Sequence, residues 1–311
     1  MARSLPPNLV SLFTQALKSY QLPNATFRVL CSLTPSSLST PTESLILQPP
    51  QTPPKALLVL DSSFNPPTLA HQGMALSALS ECREPGEDST PRSRVLLLLA
   101  VNNADKAPKP AAFPQRLAMM YIFAQDLLST TSTLHEPQNT CEAVDIAVTT
   151  EPYFHAKSAA IATSDFYHIP TNPSEETKAI EQVYLTGFDT LIRIFNPKYY
   201  PNNSMAQVLS PFFARSRLRV TLRTDAEWGD AVAQHAYLTQ LRDGRLEEAG
   251  GVLEWVYRVE MVEDRKEGEE IVSSTKVREA VRRSDWVALK KLVSEGVAEW
   301  IRGEGLYGDG E

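Results

Sequence analysis

"LLVLDSSFNPPTLAHQGMAL", Leu57 to Leu76, decides the fold. Its leading apolar residues, Leu57 to Leu60, read as a buried strand, and "HQGMALSAL" from His71 reads as the start of a helix. The turn between them has two prolines and no glycine, and it is crowded with Ser62, Ser63, Phe64, Asn65, Thr68 and His71. A strand that turns directly into a helix is the repeating step of α/β architecture. Such a turn offers backbone N–H groups and the positive end of a helix dipole to a neighbouring anion. Ser63 adds a hydroxyl, and Thr68 lies three residues before His71, so both side chains face one side of the first helical turn. The turn reads as a phosphate cradle, or else as an ordinary turn capped by Thr68 with His71 merely exposed.

Outward from this stretch, strands alternate with helices. "VLLLLAV", Val95 to Val101, is a continuous apolar run of the kind buried on both faces of a parallel sheet. "PQRLAMMYIFAQDLL" has helical i, i+3, i+4 spacing, "EAVDIAVTT" is a strand candidate, and "EQVYLTGFDTLIRI" reads as strand, glycine turn and helix. "HAKSAAIATSDFYHI" is helical or mixed, while "RLRVTLRT" and "LEWVYRVEM" read as strands. From "SSTKVREAVRR" to "EWIRGEGLY" the chain is helical, with breaks at Ser284–Asp285 and Ser294–Gly296. The fold class that follows is α/β, a doubly wound parallel sheet with a helical C-terminal part. Ligands bind such sheets outside the carboxyl ends of the strands, so function is expected after Leu60, Val101 and Leu185. Residues 1–54 divide off as an extension: a helix near residues 7–20, a short strand in "ATFRVLCSL", and a Pro/Ser/Thr-rich tract suited to protein partners. Residues 55–311 form the main domain, its C-terminal helical part spanning about residues 272–307.

Composition excludes several classes. The chain has 311 residues, 42% hydrophobic and 22% charged, the balance of an ordinary globular protein. No apolar run reaches the length of a membrane-spanning helix. A net charge of −7 argues against sequence-independent nucleic-acid binding, which needs a basic surface. Three scattered cysteines, Cys31, Cys82 and Cys141, form neither a disulfide framework nor a zinc site and point to a reducing compartment, cytoplasmic or nuclear. The N-terminus lacks acids before Glu43 and is amphipathic, a composition that overlaps with mitochondrial targeting segments. No metal-binding spacing of histidines occurs, so no protein metal site is expected. There is no P-loop and no nucleophile elbow, and "GEGLYG" at Gly303 to Gly308 follows a helix rather than a strand, so it is no dinucleotide fingerprint.

A second anion site stands in "IVSSTKVREAVRRSD". Ser273 or Ser274 caps a helix whose first turn carries Thr275, with Lys276 and Arg278 close by. Taken together, "SSFNPPTLAH" and "SSTKVR" resemble the nucleotidyltransferases that share a T/H-x-G-H motif, and within them the nicotinamide/nicotinate mononucleotide adenylyltransferases. "SSFNPPTLAH" is similar to that family's G-S-F-N-P-x-T-x-x-H. "VNNADKAPKPAAFPQRLAMM" resembles its lysine loop and H-R-x-x-M helix, "LTGFDTLIRIF" its G-A-D-x-L segment, and "GVAEWIRGEGLY" its closing helix. The resemblance covers roughly Leu57 to Tyr307. Three departures stand out: Ser62 replaces the opening glycine, Phe188 replaces the alanine of G-A-D, and Ala147 stands where a base-stacking Trp is usual, with Tyr153 or Phe154 as substitutes.

The resemblance implies a Rossmann-like nucleotidyltransferase fold and adenylyl transfer from ATP to a pyridine mononucleotide, releasing pyrophosphate. It implies that His71 and Arg278 are the catalytic pair. Ser63, Phe64, Thr68, Gly187, Asp189, Ser273, Ser274 and Thr275 would line the ATP site. Ser63, Lys106 and Lys109 would face the acceptor's phosphate, and Arg116 would be structural. Mg²⁺ would arrive with ATP, on phosphate oxygens and water. A homo-oligomer fits the same reading. The rival functions are ATP hydrolysis, transfer to another acceptor, and a non-catalytic nucleotide-binding module.

Overall fold

The computed structural model describes residues 5–21, 25–38, 43–82, 93–101, 110–133, 141–168, 180–200, 204–222, 228–263 and 271–308. The chain runs α1 (Leu9–Gln21), β1 (Phe27–Leu33), β2 (Ala56–Asp61), α2 (Leu69–Glu81), β3 (Ser93–Ala100), α3 (Phe113–Thr133) and β4 (Cys141–Thr149). It continues through α4 (Phe154–Ala162), β5 (Glu181–Gly187), α5 (Phe188–Ile194), α6 (Met205–Arg215), β6 (Ser216–Thr221), α7 (Ala231–Gln240), the single turn α8 (Leu246–Glu248) and β7 (Val259–Val262). Three helices close it: α9 (Ser274–Arg282), α10 (Trp286–Leu289) and α11 (Glu295–Gly303).

Seven strands form one sheet in the order β1-β4-β3-β2-β5-β6-β7. All neighbours are parallel except β1, which pairs antiparallel with β4 from Phe27 opposite Thr149 to Leu33 opposite Val144. The apolar runs are explained by two covered faces. Leu58, Leu60, Val95, Leu97 and Leu99 join one core with Phe13 of α1, Ala75 of α2, Leu117 of α3 and Val277 of α9. Their sequence neighbours Leu57, Val59, Leu96 and Leu98 point the other way, into a core with Ile161 of α4, Leu191 of α5 and Phe212 of α6. With alternate side chains on opposite faces and both faces packed, a strand has no reason to alternate polarity.

The segment set apart in the sequence as an extension contributes to this body. β1 joins the sheet beside β4, and Phe13 and Tyr20 of α1 are buried. Ser32 of β1 donates to Asp145 of β4 (2.7 Å), a carboxylate that also receives Arg94 of β3 (2.8 and 3.0 Å) and the Tyr167 hydroxyl (2.9 Å). A buried charge survives only when paired and hydrogen-bonded, and this one has four bonds.

"LEWVYRVEM" corrects an expectation. Only Val259–Val262 is strand, and Leu253–Arg258 is a 3₁₀ turn. Trp255 and Val256 are adjacent and both buried, and Trp255 stacks on Phe213 of α6 (5.2 Å between ring centres). A tight turn brings both side chains into one core, which the alternation of a strand at this edge would not.

The order of strands fixes where a ligand belongs. After β2 the chain builds outward through β3 and β4, then returns to the other side of β2 as β5. The reversal opens a crevice at the carboxyl ends of β2 and β5, where Asp61–Ser62 and Gly187 lie.

Candidate active site

At the end of β2 the Ser62 N–H donates to the Leu98 carbonyl of β3 (3.2 Å), pinning the first turn residue to the sheet. Phe64 takes a left-handed backbone (φ 44°), and its ring is wholly buried, 5.4 Å from the His71 ring. The Asn65–Pro66 peptide is cis. Thr68, buried, caps α2.

His71 is held from both sides. The Thr68 N–H donates to Nδ1 (3.0 Å), and the Thr68 hydroxyl lies 2.8 Å from the same nitrogen. A backbone amide can only donate, so Nδ1 accepts and Nε2 carries the hydrogen. That Nε2–H points at the Ser62 hydroxyl oxygen, 2.9 Å away. Burial lowers the His71 pKa to about 4, so the ring is neutral near pH 7. The ring is thus not merely exposed, since both of its nitrogens are bonded.

The two motifs, more than two hundred residues apart, meet. The Ser274 hydroxyl donates to the Pro66 carbonyl (2.8 Å), and Arg278 Nη1 donates to the Asn65 carbonyl (2.8 Å). Arg278 Nη2 also donates to the Thr275 hydroxyl (3.1 Å), and Thr275 is exposed. Burial lowers the Arg278 pKa from its usual value. Ser273 is the helix cap, accepting from the Lys276 N–H (3.3 Å). Ser63 makes no hydrogen bond to the described residues, which leaves its hydroxyl open. The N-terminus of α2 is less open than the sequence suggests, because its Leu69 N–H is given to the Leu292 carbonyl (2.9 Å).

Across the crevice, Gly187 caps α5 and Asp189 stands in its first turn. A Cβ on Gly187 would come within 2.7 Å of the Asp189 carboxylate oxygen, so a larger residue there would push that side chain aside. Phe188, for its part, is buried against Trp228 and Tyr237, pointing away from the crevice. Lys106 and Lys109 lie outside the described residues.

Ala147 sits inside β4 and is fully buried, because the strand runs on to Thr149. It cannot occupy the place of a base-stacking aromatic. Of the two substitutes, Phe154 packs edge-on against Tyr184 in the core. Tyr153 is 40% exposed and lies parallel to the His155 ring at 5.6 Å.

Sequence reasoning missed two supports. Lys157 of α4 reaches Asp61, the residue before Ser62, at 2.5 Å, and both side chains are nearly buried. The signal was a lone charge at the end of an apolar strand and another in "FHAKSAAIA". The Tyr307 hydroxyl donates to Asn65 Oδ1 (2.8 Å), a contact across 242 residues that no local pattern announces. Arg116 acts where expected, at the start of α3: its Nε donates to the Ala111 carbonyl (2.8 Å) and its guanidinium lies over Phe113.

The described residues hold no group of three or more His, Cys, Asp or Glu side chains placed to bind a metal, and no helix long and apolar enough to cross a membrane. The crevice is instead lined with hydroxyls, a guanidinium and a neutral imidazole, donors suited to phosphate oxygens.

No protein-family model matches the chain. Among solved structures, Plasmodium falciparum nicotinic acid mononucleotide adenylyltransferase complexed with NaAD is similar at 13% identity, covering 81% of this chain and 97% of that one with a TM-score of 0.39. Thermotoga maritima TmcAL bound with alpha-thio ATP is similar at 13% identity over 80% of this chain and 55% of that one, TM-score 0.36. A Schizosaccharomyces pombe protein provisionally named a nicotinamide mononucleotide adenylyltransferase is 33% identical over 272 residues, 87% of this chain and 94% of the relative. At that identity over nearly the whole of both proteins, the chain belongs to the nicotinamide mononucleotide adenylyltransferase family.

Proposed function

We propose that this protein joins ATP to nicotinamide or nicotinate mononucleotide, forming the dinucleotide and pyrophosphate. The observation that carries the reading is the meeting of the two motifs. Ser274 and Arg278 dock on the Asn65–Pro66 turn, and the neutral His71 ring is held beside that turn between Thr68 and Ser62. The relative's name supports it over 87% of the chain.

In the reaction a phosphate oxygen of the mononucleotide attacks the α-phosphorus of ATP. The new P–O bond forms as the bond to pyrophosphate breaks, and both electrons of that bond leave with the pyrophosphate. The nucleophile is already an anion, so no general base or covalent intermediate is required. The chain's task is to bring two repelling anions together and to meet the charge that develops on the phosphates. His71, its ring held by Thr68, orders the donors at the transferring group, with Ser63 and the backbone of Phe64 beside it. Thr275 and Arg278 take the leaving β- and γ-phosphates, with Ser273 and Ser274 setting their helix against the turn. Gly187 and Asp189 border the adenosine, the carboxylate accepting from a ribose hydroxyl. Lys106 and Lys109 are assigned to the acceptor's phosphate. Tyr153, exposed and stacked on His155, supplies the aromatic face for the pyridine base.

Mg²⁺ is proposed as part of the nucleotide substrate. The carboxylate nearest the turn, Asp61, is taken by Lys157, and hard phosphate and water oxygens satisfy this ion best.

The test is dinucleotide formation from ATP with each mononucleotide in parallel, with ADP and AMP measured in the same samples. Product with either mononucleotide supports the reading. Nucleotide cleavage that is indifferent to the acceptor would establish a hydrolase instead.

A further inference from the structure

Ser62 stands where the resembling family has glycine, and its side chain occupies a consequential point. Of the two nitrogens of His71, Nδ1 is committed to Thr68, and Nε2–H is directed at Ser62 Oγ at 2.9 Å. The one N–H of the ring is therefore already given to the serine hydroxyl. Having accepted from His71, that hydroxyl keeps its own hydrogen, which has no acceptor among the described residues. Ser62 is only partly buried, at the carboxyl end of β2 where the crevice opens. Its backbone is fixed by the bond to Leu98, so the side chain cannot move aside with the chain.

The order of donors runs one way, from the Thr68 N–H to His71, from His71 to Ser62, and from Ser62 outward. In such a chain each bond polarises the next, and the last hydroxyl becomes a stronger donor than an isolated serine. A neutral imidazole held this way is suited to donating, because protonating Nδ1 would break its bond from Thr68.

We propose that Ser62 is a catalytic residue: its hydroxyl makes the direct hydrogen bond to the transferring phosphoryl group, and His71 acts through it. No proton changes owner in the step. The serine donates a hydrogen bond to a phosphoryl oxygen while the P–O bonds form and break as described above. The inference rests on the adenylyl-transfer reading.

The experiment is a double-mutant cycle on dinucleotide formation with wild type, Ser62→Ala, His71→Ala and the Ser62→Ala/His71→Ala pair, together with Ser62→Gly. Thermal unfolding of each variant identifies loss of fold, and Ser62→Gly introduces the residue that the family's turn carries. The expected result is a fall in kcat of about tenfold or more for Ser62→Ala and Ser62→Gly alike. The pair should be no slower than His71→Ala alone within about threefold, because the two residues form one line of donors. A Ser62→Gly protein as fast as wild type or faster overturns the proposal, since the serine would then only fill space over an imidazole that works directly. Losses that multiply in the pair overturn it too. A wild type that forms no dinucleotide from either mononucleotide instead overturns the functional reading, and the Ser62 assignment with it.

Discussion

His71 owes its state to two small neighbours. Thr68 supplies the amide that fixes the ring's tautomer, and burial lowers its pKa to about 4. In the proposed reaction, removing the ring removes the donor line at the transferring phosphate, and losing one such donor costs about a hundredfold in kcat, roughly 2.7 kcal/mol. His71→Ala is therefore expected to drop kcat by about a hundred while still binding ATP, measured by steady-state kinetics beside a binding isotherm. The pH dependence has a definite sign. The folded pKa lies below the ordinary value of 6.5, so the neutral ring contributes to stability above that value. The contribution falls away as the pH drops from about 6.5 towards 4. Activity accordingly should show no limb from this histidine near pH 6.5, and a titration there that vanishes in His71→Ala would contradict the neutral ring.

At the scale of elements, α9 is docked on the turn between β2 and α2 by Ser274 and Arg278. One guanidinium serves the Asn65 carbonyl and the Thr275 hydroxyl together, a fork that a lysine ammonium cannot reproduce. Arg278→Lys is expected to lower kcat/KM for ATP by about tenfold or more, the worth of one or two lost bonds. Full kcat/KM in that variant would mean the docking is irrelevant to turnover. Beneath the same turn, Lys157 and Asp61 form a nearly buried pair. Taking away one charge strands the other, at a cost of about 3–5 kcal/mol. In urea unfolding Lys157→Met should lose about that much, and Asp61→Asn/Lys157→Met should recover most of it. The strands and helices that build this site were legible in sequence because apolar runs and helical spacing are local. The two motifs that meet there were legible because serine, threonine, histidine and arginine cluster at element ends. What fixes their geometry was not: Lys157 meets Asp61 over 96 residues and Tyr307 meets Asn65 over 242. The 3₁₀ turn at Trp255 likewise depends on the distant Phe213, so its apolar run passed for a strand.

For the whole molecule the open question is how the first 54 residues belong to the rest. Composition divides them off, since the proline-rich tract before Lys55 has no periodic pattern. Packing ties them in. β1 covers the edge of β4 from Val144 to Thr149, α1 lays Phe13 and Tyr20 against the core, and Ser32 completes the bonds of the buried Asp145. Without β1, the long, apolar β4 would present an unpaired edge, the template on which strands of separate chains add to one another. Stripping α1 would expose Tyr121 of α3, which Phe13 meets edge-on. A protein beginning at Lys55 keeps every residue assigned to phosphate, so a true appendage could be removed with activity intact. The packing makes the opposite expectation: residues 55–311 alone should aggregate or melt well below the full chain in a thermal scan, and adding residues 1–54 as a separate peptide should restore little. A soluble, active 55–311 protein with an unchanged melting point would show that the sheet ends functionally at β4.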